Sequence, residues 1–470
     1  MYRAISLFAA MLACSLAANA VYLNPDGTGQ ILIFPYYTVQ ASATDAYNTL
    51  ISVTNAGPDT KVVKVRFREG RRGLLVFEAN VYLGYDDMWT AAIIPNAGGG
   101  ASIVSRDASC TNPPLRDAGE GFTNAAFLGN SDGLGGEASR MLEGYFEVFE
   151  MGTLTGAARD AVNLDFSGKR NCAAVQGVPA NLGPLGPPTG GLSGNATLIN
   201  VTTGLDVTYA ATALDGVATK PMYGDPGSSA PDYDSSQIDT VASIVSGNTA
   251  YRLVTSTGLD AVAAVLAAVS SDNEYVLDSA TRSKTDWVET HPLGRFYFAG
   301  APTFANGGCF DPYPSIYDRD QGGANGIDFP ERPPSGYVVC WASTVIAVRG
   351  DTSNTSTVSD VLASRNTLAQ PPFIAPLTGS SPAFYSRFPN GHISIGEQNF
   401  TLTSTAASMA TNLATGAVTT GSFRVQGAPA VGFVARTFVN DNVSCGAVLC
   451  QATYSAAMPH RRIRMITPVD

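Results

Sequence analysis

Between residues 48 and 97 apolar and polar side chains alternate in short runs, each closed by a turn signal. A period of two with such punctuation fits half-buried strands and little else. Leu50-Ile51-Ser52-Val53-Thr54 runs into Asn55-Ala56-Gly57-Pro58-Asp59, and Val62, Val63, Val65 and Phe67 run into Glu69-Gly70-Arg71-Arg72-Gly73. Leu74 to Phe77, Val81 to Leu83 and Met88 to Ile94 complete the block. The same alternation at Glu143 to Gly152 would turn Tyr145, Glu147 and Phe149 one way and Phe146, Val148 and Glu150 the other. The expected fold class is mainly β, with antiparallel β-sandwich (immunoglobulin-like) layers.

Punctuation divides the rest. Gly183 to Gly191 and Gly224 to Ser229 are too rich in Gly and Pro for regular structure. Asp260 to Val269 is alanine-rich and helical in character, with Ser256 or Thr257 as its cap. Strand signals return at Trp287 to Thr290, Arg295 to Phe298, Gly336 to Trp341, Val345 to Val348, Phe423 to Val425, Ala430 to Ala435 and Ile463 to Ile466. The division expected is a signal peptide at 1–20, an N-terminal β-sandwich at 21–182, a loop-rich middle segment with a short helix at 183–284, and a C-terminal β region at 285–470 that could share a sheet with the N-terminal part.

Arg3, the apolar run Ala4 to Ala13 and the small-x-small site Ala18-Asn19-Ala20 read as an export signal cleaved before Val21. Acylation of Cys14 is the competing reading, and Met11 and Leu12 are poor residues for it. No later run is long and apolar enough for a membrane-spanning helix. Localisation is expected to be periplasmic, cell-surface or extracellular. Six cysteines remain, Cys110, Cys172, Cys309, Cys340, Cys445 and Cys450, and an even number in an oxidising compartment implies disulfides. Of the 15 connectivities six cysteines allow, the one expected is nearest-neighbour pairing, Cys110–Cys172, Cys309–Cys340 and Cys445–Cys450, because each pair closes a local loop-rich segment. Only 14% of residues are charged, 45% are hydrophobic, and the formal charge is −11. That balance excludes a disordered chain and argues against nucleic acid, whose binding needs clustered positive charge. The one basic cluster, His460-Arg461-Arg462-Ile463-Arg464, alternates like the solvent face of a last strand.

Val21-Tyr22-Leu23-Asn24-Pro25-Asp26-Gly27-Thr28-Gly29-Gln30 with Pro35-Tyr36-Tyr37-Thr38 resembles the mature start of a group of uncharacterised secreted proteobacterial proteins. Glu143 to Gly152, Thr285 to Val288, Tyr317 to Asp320 and Gly427 to Phe433 are similar to segments of the same group. The resemblance implies export from a Gram-negative cell, and transfers no activity and no site residue.

Candidate chemistry is sparse. Gly129-Asn130-Ser131-Asp132-Gly133 matches a serine nucleophile elbow, but its flanks offer neither the strand nor the helix that elbow needs, so a polar turn is expected. Asp318, Asp320 and Asp328, with Asp311 and Asn325, supply oxygen ligands of the kind structural calcium takes. The bland reading of that loop is a solvated acidic segment with a buried Asp–Arg pair around Arg319. Glu143, Glu147 and Glu150 could furnish a glycosidase carboxylate pair, although such spacing is commonplace on solvent-facing strands. Trp287, Tyr313 and Tyr317 are candidate ligand-stacking aromatics, while Trp89 and Trp341 are expected in the core. Beyond structural calcium no cofactor is expected. The function expected is an exported, non-enzymatic structural or adhesive protein of the cell surface or extracellular space. Its partner would be a second copy or a surface protein, met by strand addition at N-terminal edge strands. The alternative is a secreted carbohydrate-binding or carbohydrate-hydrolysing protein.

Overall fold

A computed structural model describes residues 20–41, 45–116, 119–130, 134–176, 179–297, 313–320, 341–350, 356, 358–365, 383–386, 388–396, 400–446 and 448–469. Residues 1–19 of the expected signal peptide, Cys14 among them, lie outside these, as do Cys309, Cys340, Asp311, Asn325, Asp328 and Ser131.

The fold is mainly β, as the alternation predicts. Two antiparallel sheets form an N-terminal sandwich. The first runs in the order Tyr22–Leu23, Thr212–Asp215, Ile31–Thr38, Glu143–Thr153, Lys61–Glu69, Leu75–Leu83, Cys110–Asn112. The second runs Leu205–Ala210, Leu192–Asn200, Tyr47–Asn55, Asp87–Pro95, Ala101–Val104, Glu120–Gly121. Between them lies one aromatic-rich core: Phe34 stacks on Phe146 at 4.1 Å, Phe146 on Phe67 at 4.7 Å, and Trp89 is fully buried. Strands Leu192–Asn200, Leu205–Ala210 and Thr212–Asp215 complete these sheets, so the sandwich runs past the Gly/Pro-rich segment at 183–191, which is a connection within it.

A proline in a central strand costs a ladder hydrogen bond, and Pro35 sits where that cost is absorbed. The register between Ile31–Thr38 and Glu143–Thr153 shifts between Gly144 and Phe146. At this bulge the Pro35 carbonyl accepts from Thr290 Oγ1 and, at 3.3 Å, from Ser343 Oγ, both in the C-terminal half. The strand is therefore paired along both edges. Val21 exchanges backbone bonds with Val241 and Ser243 at 2.7 and 2.8 Å. The N-terminal edge expected to be open is thus short: Ile31–Thr38 is interior, and the outer strand Tyr22–Leu23 has two residues and is flanked by the bonded Val21.

The C-terminal half is a second layered unit. A five-stranded sheet, Ala383–Tyr385, Ser343–Arg349, Lys284–Thr290, Val431–Cys445, Val448–Pro459, faces a four-stranded one, Tyr313–Asp318, Asn390–Gly396, Ser270–Val276, Arg461–Ile463. One pairing, Ser343–Arg349 with Ala383–Tyr385, is parallel. Trp287, Ile346, Phe384, Ile393 and Val434 fill the space between these sheets. The five-stranded sheet packs its other face, through Val288, Val345, Phe433 and Ala435, into the N-terminal core. Among the described residues the two halves share that core and no sheet.

The helix spans Gly258–Leu266, and Thr257 Oγ1 caps it by accepting from the Asp260 N–H at 3.1 Å. Its alanines are buried against Val21, Ile31 and Phe149. Two of the expected disulfides are present: Cys110–Cys172 ties an edge strand of the first sheet to a short turn, and Cys445–Cys450 closes a hairpin.

Candidate functional site

Trp287 lies in the middle strand of the five-stranded sheet and is fully buried, so it is not presented to a ligand. Its ring stacks on His460 at 3.9 Å and its Nε1–H donates to Glu289 Oε2 at 2.9 Å. Arg462 reaches the other Glu289 oxygen at 3.0 Å. The basic C-terminal run is thus not a plain solvent face, because His460 is buried and Arg462 turns inward to this carboxylate. His460 Nε2 donates to the Val288 carbonyl at 2.8 Å, which leaves Nδ1 to accept from Asn273 at 3.3 Å. Burial presses His460 and His291 down to about 4, so both imidazoles are neutral at pH 7. Burial raises Glu289 while His460 and Arg462 lower it, with a net shift downward. With the imidazole neutral, the permanent guanidinium charge is the effective partner. Trp287 Nε1, both Glu289 oxygens and both His460 nitrogens are spent on neighbours, which makes the cluster a fastening between sheets.

Tyr317 is half-buried and stacks on His392 at 4.5 Å. The side chain of Tyr313 lies outside the described residues. Asp320 N–H donates to Asp318 Oδ1 at 2.9 Å, and Arg319 pairs with Asp320 at 3.4 Å. Arg319 and Asp320 are 74% and 76% exposed, so the buried Asp–Arg pair expected here is a solvated one. Among the described residues no group of three or more His, Cys, Asp or Glu is placed to hold a metal ion. Gly129 and Asn130 take left-handed φ of 70° and 61° at the end of a short turn.

Glu143, Glu147 and Glu150 are all buried, against the expectation of a solvent-facing strand, and they serve three separate sites. Their strand keeps one register with Lys61–Glu69 from Gly144 to Glu150 and shifts only between Glu150 and Gly152. Glu143 accepts from Tyr36 OH at 2.7 Å, Gln40 Nε2 at 3.0 Å, Ser364 Oγ at 2.5 Å and the Arg365 N–H at 3.0 Å. It forms one wall of a cleft of about 500 Å³ that also holds Arg71, Arg140, Arg365 and Asn96. Glu150 is paired with Lys61 at 2.7 Å and receives the Thr189 and Gly190 N–H groups, each at 2.8 Å. These three carboxylates face no common substrate position.

Glu147 belongs to a layer of ions that the sequence did not announce. Lys64, Arg66 and Arg68 alternate with core residues along one strand and project from the outer face of the first sheet. Arg66 bonds Glu78 at 3.0 Å and Asp232 at 3.2 Å, and Arg68 bonds Glu147 and Asp232, both at 2.8 Å. Arg295 joins Asp232 and Glu147 from the far side. Lys64 donates to the carbonyls of Asp225 and Ala230 at 2.7 and 2.9 Å, and Arg66 to that of Ser228 at 2.7 Å. These bonds hold residues 225–232 over the sheet as a cover. Burial lowers Lys64 to about 8. Burial raises Asp232, but Arg68, Arg295 and Arg66 outweigh it and hold the carboxyl below its usual value. Three cations at alternate positions of one strand, in a lysine-poor acidic chain, were the available signal. Such a row calls for acidic partners, and Glu78 and Glu147 provide two.

The outer face of the second sheet is the reverse. Ser52, Thr90, Asn195 and Thr197 line an open cleft of about 670 Å³ with Leu50 and Ala92, and Arg106 is its one charged residue.

A hairpin arm ends the five-stranded sheet. Strand Val431–Cys445 leaves its neighbour Lys284–Thr290 at Thr437 and continues with Val448–Pro459 as a two-stranded ribbon. The Val439 N–H still bonds the Thr281 carbonyl at 2.8 Å and Asp441 pairs with Arg282, so among the described residues the ribbon bonds only within itself from Asn442 to its tip. Such a ribbon is marginal alone, and Cys445–Cys450 staples this one at its end. Val448 and Tyr454 stand exposed on it.

No protein-family model matches this chain, and neither a curated protein nor a solved structure is significantly similar to it.

Proposed function

We propose that this chain is an exported, non-enzymatic structural or adhesive component of the cell surface or extracellular space. The stapled arm carries the reading: a projecting ribbon with exposed Val448 and Tyr454, held by a disulfide, suits contact with another molecule and an oxidising compartment. The buried charge supports it. The clusters at Glu289, Glu147 and Glu150 are consumed by internal partners that fasten layers. Fractionation of the native host tests it: the chain, starting at Val21, is expected in the surface or medium fraction, shifted on non-reducing gels. A chain found only in the cytosol with free thiols would refute export.

A carbohydrate-binding role is the second reading, favoured by the hydroxyl- and amide-lined cleft on the second sheet. Neutral glycans are expected to bind there and to lose affinity in the Ser52→Lys variant. Absence of binding across a broad neutral-glycan array would end it.

A further inference from the structure

Sheet edges offer unpaired backbone to strands of other molecules, and natural folds blunt them with short strands, charges, proline or bulges. Most edges among the described residues are blunted in these ways. Glu120–Gly121 has two residues, Cys110–Asn112 and Val418–Thr420 three each, and Met465–Pro468 four, with a terminal proline. Tyr313–Asp318 and Leu205–Ala210 have six each and carry an aspartate. Val448–Pro459 is different: it is twelve residues long and contains no charged residue.

Its one ladder partner is Val431–Cys445. At the base of its far side, Asn273 Nδ2 takes the carbonyls of Met458 and Pro459 at 2.9 and 3.2 Å, and Ser455 Oγ donates to the Asp206 carbonyl. From Cys450 to Tyr454 no described group bonds the far side of the backbone.

We propose that this edge pairs, antiparallel about a two-fold axis near Ala452, with the same edge of a second copy of the chain. The inference rests on the structural or adhesive reading and names its partner. Charge selects the occupant. At a formal charge of −11 two copies repel over most approaches. Self-pairing here sets Gln451 opposite Thr453 and Tyr454 opposite Cys450, with no like charges in register. It also joins the two five-stranded sheets into one. The arm's other strand cannot serve equally, since it carries Asp441 and a register shift between Asn440 and Val443.

Sedimentation of the full mature chain over a range of concentrations tests the pairing. The native chain is expected to form a dimer. The double variant Gln451→Lys, Thr453→Lys sets four lysines together and is expected to weaken it by about tenfold or more. Asn440→Lys, Asn442→Lys on the opposite strand should dimerise like the native chain. A native chain that stays monomeric at the highest concentration, an edge variant that dimerises unchanged, or a control variant that loses the dimer equally would each overturn the proposal. Amide exchange on the native chain needs no variant. Within Gln451 to Tyr454, protection that fades on dilution supports the pairing, and exchange independent of concentration refutes it. A monomer found on the cell surface would refute this edge and leave the surface reading intact. A dimer broken by the edge lysines but confined to the cytosol would do the opposite.

Discussion

The two sheets of the N-terminal sandwich share one core and differ in their second face. The second sheet alternates buried and open positions, as at Tyr47–Asn55, and its outer cleft is lined by Ser, Thr and Asn between Leu50, Ala92 and Val104, with one arginine. The first sheet is buried on both faces along Ile31–Thr38, Lys61–Glu69 and Glu143–Thr153, yet it carries the charges. Charge here works as mortar and hydroxyls work as skin. Desolvating an ion is costly and its attraction returns that cost only with full pairing, so a buried ion layer tolerates one arrangement of its cover. Apolar contact alone would tolerate several. The contrast teaches that low overall charge does not mean a chain uses charge sparingly: much of it can be spent indoors.

The contrast can be broken most sharply by removing one member of the ion layer. Arg68→Met leaves Glu147 and Asp232 underpaired, and a loss of about 3–5 kcal/mol in urea unfolding is expected. An unchanged midpoint would mean that water already reaches the layer. Acid titration separates this layer from the histidine fastening of the C-terminal half. His460 and His291 have folded values of about 4, below the ordinary value. The stability they carry is therefore present above about pH 6.5 and lost as pH falls through about 4, on the order of 3 kcal/mol for each imidazole. Asp232 is held below its usual value, so its contribution persists to lower pH. Residue-resolved exchange should show the sheet around Trp287 loosening before the cover at 225–232; the reverse order would contradict this assignment. Smallest is the effect on the open face: Ser52→Ala should stay within about 0.5 kcal/mol. A larger loss would show that this face is packed against something.

Much of the strand layout was legible because alternation is local. Leu50 to Thr54, Val62 to Phe67, Met88 to Ile94 and Glu143 to Gly152 all fall inside observed strands, and Thr257 caps the helix. The destination of the polar positions was not legible. Lys64, Arg66 and Arg68 alternate with Val63, Val65 and Phe67 in the pattern that solvent exposure would produce. The cover that buries them is encoded some 160 residues later, at Asp225 to Asp232. Trp287 and His460 meet across a similar distance in sequence, which no local period reports. The separate partners of Glu143 and Glu147, four residues apart on one strand, were hidden too.

The threading of the sheets has a consequence for how the chain comes to be folded. Ile31–Thr38 waits for Glu143–Thr153 and Thr212–Asp215, and the hairpin Val241–Ser246, Thr249–Val254 waits for Met409–Asn412. Non-local pairings of this kind delay folding, because a long loop must close before any contact rewards it. A nascent chain would present its earliest hydrophobic strands unsatisfied until most of the polypeptide had emerged. Such a molecule stays threadable for a long time, and its handling before completion falls to whatever escorts it.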